Sequence, residues 1–475
     1  MKTYNSKALV IEFAAPWVKS LVCTIFLIVF GILFTVISDS KITIIHTIHT
    51  FSWVPFAIAF VLSIITLLLF VKYTEDKAIK NKLIYGLYFK RNRNPLNLRD
   101  GDYVPEIQVY RKGQDKYIVR IYATGITVET LEKLGTNISS ILNKKHQRYA
   151  VTITVADEAM NYVEYLVEDV TIDKSLTFTN VNQMKPRDKT KIAIQKDIML
   201  DLRYSGSMLF MGKTRSGKTT AIISIILQIL LLGRDKYESK ITIIDPKNAE
   251  LSQLPYTYSL DEDGTGKEIL KAMHSFEETM KHRQHLLNLA SQTKGDVVHW
   301  WDMDFMPCVL FIDEYIALKS IFPKKPEKGS NYCVSELENS LKRIITMGQS
   351  SGMFTIISTA EASVEEGGLP SMLRNALTTK ILLKPTLQEA RLIWDVSKFE
   401  NQRERAYIAG EAWFTSTDGE HDNNVYFIKF SNIQFPLYRE LGRALKEYYE
   451  NERNDDGGTP QDGVRREQNI EDFSL

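Results

Sequence analysis

Two long apolar runs near the amino terminus contain no Asp, Glu, Lys or Arg. They cover residues 21–38 and 51–71 and are 18 and 21 residues long. Because an α-helix rises about 1.5 Å per residue, each run is long enough to cross a hydrocarbon core of about 30 Å. Both runs are apolar on every side, which disfavours the amphipathic helices of a soluble core. The pattern predicts two transmembrane helices joined by a short outer loop at 39–50.

The basic residues that flank these runs predict the orientation of the chain. Three lysines lie in residues 1–20, one lies in the loop 39–50, and seven basic residues lie between 72 and 93. An excess of Lys and Arg marks the cytoplasmic side of a membrane. The chain is therefore predicted to cross the cell membrane twice, with 1–20 as a cytoplasmic N-terminus. Segment 72–103 is predicted to be a basic cytoplasmic linker that rests on anionic lipid headgroups, with a DNA contact as the alternative.

After residue 104 the long apolar runs give way to shorter periodic segments. Segment 104–180 is predicted to be a small α+β module, with a hairpin turning at 112–115, a helical stretch at 127–145 and two further strands. It contains no cluster of catalytic residue types, which favours a spacer or assembly role. Across 181–450, short β-branched runs alternate with helical segments. That alternation predicts an α/β fold with a doubly wound parallel sheet.

Composition and charge exclude several classes of protein. The formal net charge of +1 excludes a nucleic-acid binder that is basic along its whole length. The three cysteines are far apart in the sequence, so neither a disulfide framework nor a zinc site is expected. Residues 451–475 carry more acidic than basic residues and few apolar ones, which predicts a disordered acidic tail.

The strongest chemical signal is the loop between the predicted strand Met208–Met211 and the helix that follows it. Its sequence, GKTRSGKT, fits G-x-x-x-x-G-K-[ST] at every fixed position. Glycines at the fixed positions let the backbone wrap closely around phosphates, so that its N–H groups point at them. The predicted ATP-binding residues are Gly212, Lys213, Thr214, Arg215, Ser216, Gly217, Lys218, Thr219 and Thr220. Lys218 is expected to reach the β and γ phosphates, and the Thr219 hydroxyl to bind Mg²⁺.

An acidic pair follows the predicted strand Cys308–Ile312. Asp313 and Glu314 stand at its carboxyl end, the edge at which parallel sheets bind ligands. Asp313 is predicted to hold Mg²⁺ together with Thr219, and Glu314 to be the base that polarises the attacking water. With Lys218 these two residues form the predicted catalytic set.

Several motifs resemble the FtsK/SpoIIIE group of DNA-translocating ATPases. DPKNAELS, at 245–252, is similar to the D-P-K-x-x-E-L-S segment of that group, and FIDEYIAL, at 311–318, resembles its acidic strand. The stretch 341–359 resembles the passage into the group's L-A-T-Q strand. The resemblance covers about 104–433 and implies a RecA-like P-loop NTPase motor over 181–450. It also implies ATP and Mg²⁺ as cofactors, sequence-independent DNA binding and assembly as a homo-hexamer.

The layout of the chain departs from most of the group. It has two predicted membrane runs and no Pro/Gln-rich linker, and it is expected to lack the winged-helix domain that follows the motor in that group. This short layout resembles the coupling proteins of Gram-positive conjugative elements. That likeness implies delivery of DNA to a type IV secretion channel, with a relaxase or other DNA-processing proteins and channel components as partners.

Other site residues are implied by the resemblance with less direct matches. The group's sensor glutamine falls on Ala360, so Thr359 is the predicted phosphate sensor. Arg343 and Arg374 are candidates for an arginine that acts across a subunit boundary. Lys324 and Lys325, in a lysine-rich loop where the group places a DNA contact, are either DNA contacts or part of a solvated loop; sequence-blind binding would need only their charge.

Two other functions stay open from the sequence. FtsK-like ATPases of type VII secretion move protein, although they string several motor domains together and this sequence has one P-loop. A docking platform for a DNA-processing complex would use nucleotide only to control assembly. The complete set of Thr219, Asp313 and Glu314 favours an enzyme over a platform.

Overall fold

The computed structural model of the chain describes residues 16–38, 54–71, 74–88, 95–96, 98–113, 115–143, 149–326, 328–360, 368–399, 402 and 406–455. Residues 1–15 of the predicted N-terminus, the predicted outer loop 39–50 and residues 456–475 of the predicted tail lie outside this description. The helices are α1 (Pro16–Ser38), α2 (Val54–Val71), α3 (Glu75–Tyr88), α4 (Val128–Glu132), α5 (Gly135–Leu142), α6 (Lys218–Leu230), α7 (Lys267–Lys294), α8 (Tyr315–Ile321), α9 (Val334–Met347), α10 (Ser371–Ala376), α11 (Leu387–Ala390) and α12 (Leu437–Asp455).

The strands form one antiparallel sheet, one large sheet and two short pairs. They are β1 (Ile107–Arg111), β2 (Lys116–Tyr122), β3 (Tyr149–Ala156), β4 (Tyr162–Asp169), β5 (Thr177–Phe178), β6 (Lys191–Gln195), β7 (Ile198–Asp201), β8 (Met208–Met211), β9 (Ile241–Ile244), β10 (Thr257–Tyr258), β11 (Cys308–Ile312), β12 (Met353–Thr359), β13 (Thr379–Leu383), β14 (Glu411–Ser416), β15 (Tyr426–Lys429) and β16 (Asn432–Ile433).

The chain divides into two compact units, which we call the N-terminal unit and the C-terminal unit. The first ends at Asp173 and the second begins at Lys174. The predicted boundary at residue 180 is therefore displaced, because β5 pairs in parallel with β16 near the end of the C-terminal unit. Helix α12 continues to Asp455, so the first residues of the predicted disordered tail are helical.

Helices α1 and α2 pack side by side in the N-terminal unit. The Trp17 and Phe70 rings meet edge to face at 5.3 Å between centroids, and the hydroxyls of Ser20 and Thr66 lie 2.7 Å apart. Of the described helices, Pro16–Leu33 alone is long and apolar enough to cross a membrane; α2 meets that test only when joined to α3, from which it is bent by 96°. One predicted span is thus supported by length and composition, and the two-pass topology stays a prediction.

Residues 75–88 of the predicted basic linker 72–103 instead form a helix with a buried face. Along α3, Ile79, Leu83 and Leu87 recur every fourth residue and are at most 2% exposed. This spacing places them on one side of the helix, and they join the core of the N-terminal unit. The prediction of a linker was wrong here because the lysines of the segment concealed an amphipathic period.

The remainder of the N-terminal unit is a four-stranded antiparallel sheet in the order β1-β2-β4-β3. The predicted hairpin turn at 112–115 is confirmed, since β1 ends at Arg111 and β2 begins at Lys116. The predicted helical stretch 127–145 is two short helices, α4 and α5. Near the start of α3, Glu75 accepts hydrogen bonds from the hydroxyls of Tyr117 and Tyr149, at 2.6 and 2.9 Å, and so ties α3 to the sheet.

The C-terminal unit contains an eight-stranded sheet in the order β10-β9-β11-β12-β8-β13-β14-β15. Strands β8 to β13 are parallel, but β14 and β15 are antiparallel to their neighbours. The prediction of a parallel sheet is corrected to a mixed one. The nine residues 417–425 join β14 to β15, and within them His421 Nδ1 lies 2.8 Å from Asp418 Oδ2. A connection of this length joins antiparallel strands, because parallel strands need a crossover of about a dozen residues or more.

The order of the central strands assembles one edge of the sheet. Strands β8, β9, β11 and β12 are buried along their whole length, as expected when helices cover both faces. Helices α6 and α12 pack on one face and α9 on the other. Because β12 lies between β8 and β11, the carboxyl ends of these parallel strands stand side by side.

A fully buried arginine on α7 bonds to the backbone near the amino end of β11. Arg283 donates to the carbonyls of Met306 and Ser351, at 2.8 and 3.1 Å. Its Nη1 lies 3.3 Å from Asp235 Oδ2, and that carboxylate is also buried. Removing one partner of such a pair leaves the other charge buried, which costs about 3–5 kcal/mol.

We therefore expect Arg283→Met to lower the free energy of unfolding of the C-terminal unit by about 3–5 kcal/mol, as measured by urea denaturation of the full-length chain. The matched control is Arg439→Met, because that side chain is 70% exposed. It should change the free energy by less than about 0.5 kcal/mol. Equal stability of the Arg283→Met variant and the wild type would contradict the role of the buried pair.

Candidate functional site

The loop between β8 and α6 has a backbone that only certain residues can adopt. Gly212 and Gly217 have φ values of 142° and 94°, and Arg215, between them, has a φ of 63°. A Cβ on Gly212 would lie 2.7 Å from the carbonyl oxygen of Leu383, and one on Gly217 would lie 2.9 Å from the nitrogen of Gly410. Glycine is therefore required at both fixed glycine positions of the motif, for backbone conformation and for space.

Three observations fit this loop to a nucleotide phosphate. Gly217 precedes α6 without a side-chain cap, so the first N–H groups of a thirteen-residue helix are open to an anion. Ser216 Oγ is buried without a hydrogen-bond partner. The ammonium group of Lys218, the first residue of the helix, donates to the carbonyl of Gly212 within the loop. Burial lowers the pKa of Lys218, while Glu314 and Asp313 oppose that shift, so these three residues are electrostatic neighbours.

The acidic pair stands at the carboxyl end of β11, as predicted. The Asp313 N–H donates to the carbonyl of Ile244 at 2.9 Å, which fixes the end of β11 to the end of β9. Burial raises the pKa of the Asp313 carboxyl, and nearby Lys247 opposes this. Glu314 has a left-handed backbone with φ 73°, and its Oε1 accepts a hydrogen bond of 3.0 Å from the N–H of Ala360. A residue other than glycine held in this conformation costs about 1–3 kcal/mol, and such strain clusters at functional sites.

A lysine that the sequence analysis did not assign joins this pair. Lys247 Nζ lies 3.5 Å from Asp313 Oδ2 and 3.7 Å from Glu314 Oε2. It belongs to the DPKNAELS segment, which carried the family resemblance but received no role. The available signal was its place three residues after the end of β9, at the same sheet edge as Asp313.

The other predicted site residues lie at different points of the C-terminal unit. Thr359 ends β12 and pairs in register with Met211 of β8, so it lies between the P-loop strand and the acidic strand. Arg343 is joined to Glu277 and Glu336, at 2.8 and 3.1 Å, instead of to the acidic pair. The last candidates are Arg374, on α10, and the exposed Lys324 and Lys325, which lie between α8 and α9.

A Mg²⁺ site of the predicted kind needs few protein ligands. Within the described part of the chain, no group of three or more His, Cys, Asp and Glu residues is arranged to hold a metal ion. Mg²⁺ at nucleotide sites is bound by one or two protein oxygens together with phosphate oxygens and water. Thr219 and Asp313 offer one hydroxyl and one carboxylate, which fits that requirement.

Comparison with curated proteins identifies a relative of this chain. Over 220 residues the chain is 22% identical to the DNA translocase FtsK of Sporosarcina ureae, a match that covers 41% of this chain. The chain resembles the FtsK translocases. The match confirms the resemblance that the motifs indicated. The chain spans 27% of the length of that FtsK protein.

Solved structures with a similar chain path include one protein solved with an ATP analogue and one secretion ATPase. The conjugation coupling protein TcpA of pCW3, in its monomer form with ATPγS, has a TM-score of 0.44 and 13% identity, over 73% of this chain and 94% of that one. The cytoplasmic domain of the type VII secretion ATPase EccC of Thermomonospora curvata has a TM-score of 0.40 and 15% identity, over 57% and 34%. No protein-family model matches the chain.

Proposed function

We propose that this chain is a membrane-anchored ATPase that moves DNA and acts as a coupling protein, delivering DNA to a conjugative type IV secretion channel. The observation that carries the proposal is the meeting of the P-loop, Lys218, Asp313 and Glu314 at one sheet edge. The similarity to FtsK supports DNA as the substrate that is moved. The apolar helices α1 and α2 support anchoring in the cell membrane, with the C-terminal unit in the cytoplasm.

In this proposal the P-loop binds the phosphates of ATP and Lys218 compensates their charge. Thr219 and Asp313 would hold Mg²⁺, which supplies further positive charge at the β and γ phosphates. Glu314 accepts a proton from water as the water oxygen attacks the γ phosphorus. The bond from that phosphorus to the bridging oxygen breaks, and ADP and inorganic phosphate leave.

Assembly and partners follow from the same proposal. The chain would form a homo-hexamer, with Thr359 as phosphate sensor and Arg343 or Arg374 acting on the neighbouring subunit. Arg343 would have to exchange its contacts with Glu277 and Glu336 for that role. A relaxase or another DNA-processing protein would supply the DNA, and components of the secretion channel would receive it.

The proposal predicts that DNA stimulates ATP hydrolysis by the full-length chain purified in detergent. Stimulation should weaken with added salt, because contacts to phosphates release counterions. The relevant quantity is the salt slope, the slope of the logarithm of DNA affinity against the logarithm of salt concentration. Replacing Lys324 and Lys325 together by Ala should reduce this slope by about two, while hydrolysis without DNA is unchanged. A double variant of two other exposed lysines, Lys185→Ala with Lys294→Ala, is the matched control and should retain the wild-type slope.

Two results would favour the other functions. Hydrolysis that is indifferent to DNA would favour an FtsK-like ATPase that drives protein secretion. An oligomeric sample that binds nucleotide without hydrolysing it would favour a docking platform for a DNA-processing complex.

A further inference from the structure

The segment after β9 places a cation against two largely buried carboxylates. Lys247 Nζ lies within 3.7 Å of both Asp313 Oδ2 and Glu314 Oε2. Each of those side chains is 12% exposed, whereas Lys247 is 43% exposed. Adjacent carboxylates with little access to water repel each other, and a cation beside both of them reduces that repulsion. Lys247 is therefore placed to hold the two carboxylates side by side.

The backbone of the DPKNAELS segment fixes the starting point of the Lys247 side chain. The carboxylate of Asp245, 1% exposed, accepts a hydrogen bond from the N–H of Lys247 at 3.1 Å. The same carboxylate accepts from the N–H groups of Ala249 and Ser252, at 2.9 and 3.0 Å. The Asp245 N–H in turn donates to the carbonyl of Tyr258, on β10, at 2.9 Å. A buried carboxylate with three backbone donors holds a short segment in one conformation.

Glu314 is also held from a second direction. Its Oε1 accepts from the N–H of Ala360, directly after β12, while its Oε2 faces Lys247. The two oxygens of this carboxylate thus have partners that follow two different strands of the sheet. The left-handed backbone of Glu314 sets where its side chain begins, and the two contacts hold its carboxylate at the other end. Together they fix the direction of the carboxylate.

We propose that Lys247 is a positioning residue for ATP hydrolysis. It holds Glu314 and Asp313 in place and does not itself bind a phosphate of ATP. This inference rests on the proposed function. It assigns the DPK segment, residues 245–247, a role in the hydrolysis step. The rival interpretation is that Lys247 binds a phosphate of ATP directly, as Lys218 is expected to do.

The kinetic test compares Lys247→Met and Lys247→Arg with the wild type in the full-length chain. If Lys247 positions the acidic pair, Lys247→Met lowers kcat by about 10- to 100-fold, as loss of an outer-shell partner does. KM for ATP and the dissociation constant of ATPγS should each change by less than about threefold, since uniform binding is retained. Lys247→Arg should recover part of kcat because it keeps the positive charge.

Two kinetic results would overturn the inference. Loss of ATPγS affinity by the same factor as kcat/KM in Lys247→Met would make Lys247 a phosphate ligand. Wild-type kcat in that variant would remove Lys247 from the reaction.

A second readout uses the nucleotide-free protein and does not depend on turnover. The unfolding temperatures of Lys247→Met, Glu314→Gln and the double variant form a cycle that measures the contact between the two side chains. The shifts should be non-additive. Additive shifts would contradict the contact on which the inference rests.

The Lys218→Ala variant separates failure of the inference from failure of the proposed function. If the wild type hydrolyses ATP, Lys218→Ala does not, and Lys247→Met equals the wild type, the inference alone fails. If the purified wild type hydrolyses no ATP, the proposed function fails and the role of Lys247 in hydrolysis fails with it.

Discussion

Replacing Lys218 by Ala lowers the rate of ATP hydrolysis by the full-length chain about 100- to 1,000-fold, the scale on which loss of one preorganised charge-stabilising group acts. The residue begins α6 at the end of the phosphate-binding loop, and its pKa is lowered by burial. A cation removed from water in this way interacts strongly with the charge that develops on the γ phosphate. The measurement is release of inorganic phosphate at saturating ATP.

The control for this variant is a lysine in the same position of another helix. Lys267 is the first residue of α7 and is exposed. Lys267→Ala should hydrolyse ATP at the wild-type rate. Hydrolysis at the wild-type rate by Lys218→Ala would refute the assignment of the P-loop as the catalytic nucleotide site.

Replacing Glu314 by Gln should leave ATP bound but not turned over. The amide oxygen of Gln can still accept the hydrogen bond from the N–H of Ala360, so the local fold is retained. The amide cannot accept the proton of the attacking water, and loss of a general base lowers rates by about 100- to 10,000-fold. Single-turnover hydrolysis and binding of ATP, measured on the same sample, separate the two effects.

A glutamate on α9 provides the matched control for Glu314→Gln. Glu338, on α9, also pairs with a lysine, Lys319, at 2.9 Å. Glu338→Gln removes the same charge and should leave turnover within about twofold of the wild type, because surface ion pairs contribute little. Wild-type turnover in Glu314→Gln would exclude Glu314 as the base.

The buried strands of the C-terminal unit were predictable from sequence with their bounds. Met208–Met211 and Cys308–Ile312 are continuous apolar runs, followed by Gly212 and Asp313, and the structure places strands at these residues. This works because a strand covered on both faces has no polar side to interrupt the run. The order of the strands was not predictable, since it depends on pairing between segments far apart in the sequence.

The parts of the site that escaped prediction depend on contacts over long sequence distances. Lys247 and Glu314 are 67 positions apart, and nothing in either segment alone indicates that the side chains meet. The hydrogen bond from Ala360 to Glu314 likewise joins the ends of two different strands. The P-loop was predictable for the opposite reason, because its residues are consecutive and local backbone geometry requires glycine at Gly212 and Gly217.

The helical segment between the apolar helices and the antiparallel sheet has a mechanical consequence under the proposed function. A motor that pulls a polymer experiences an equal reaction force, and the chain is continuous from the C-terminal unit through Asp173 to the N-terminal unit. A flexible linker would stretch under this tension and lose part of each stroke. Instead α3 is anchored by Ile79, Leu83 and Leu87, whose burial contributes roughly 5–9 kcal/mol, and by Glu75. Under the proposed function, α3 would therefore carry tension as a helix that is fixed to the antiparallel sheet.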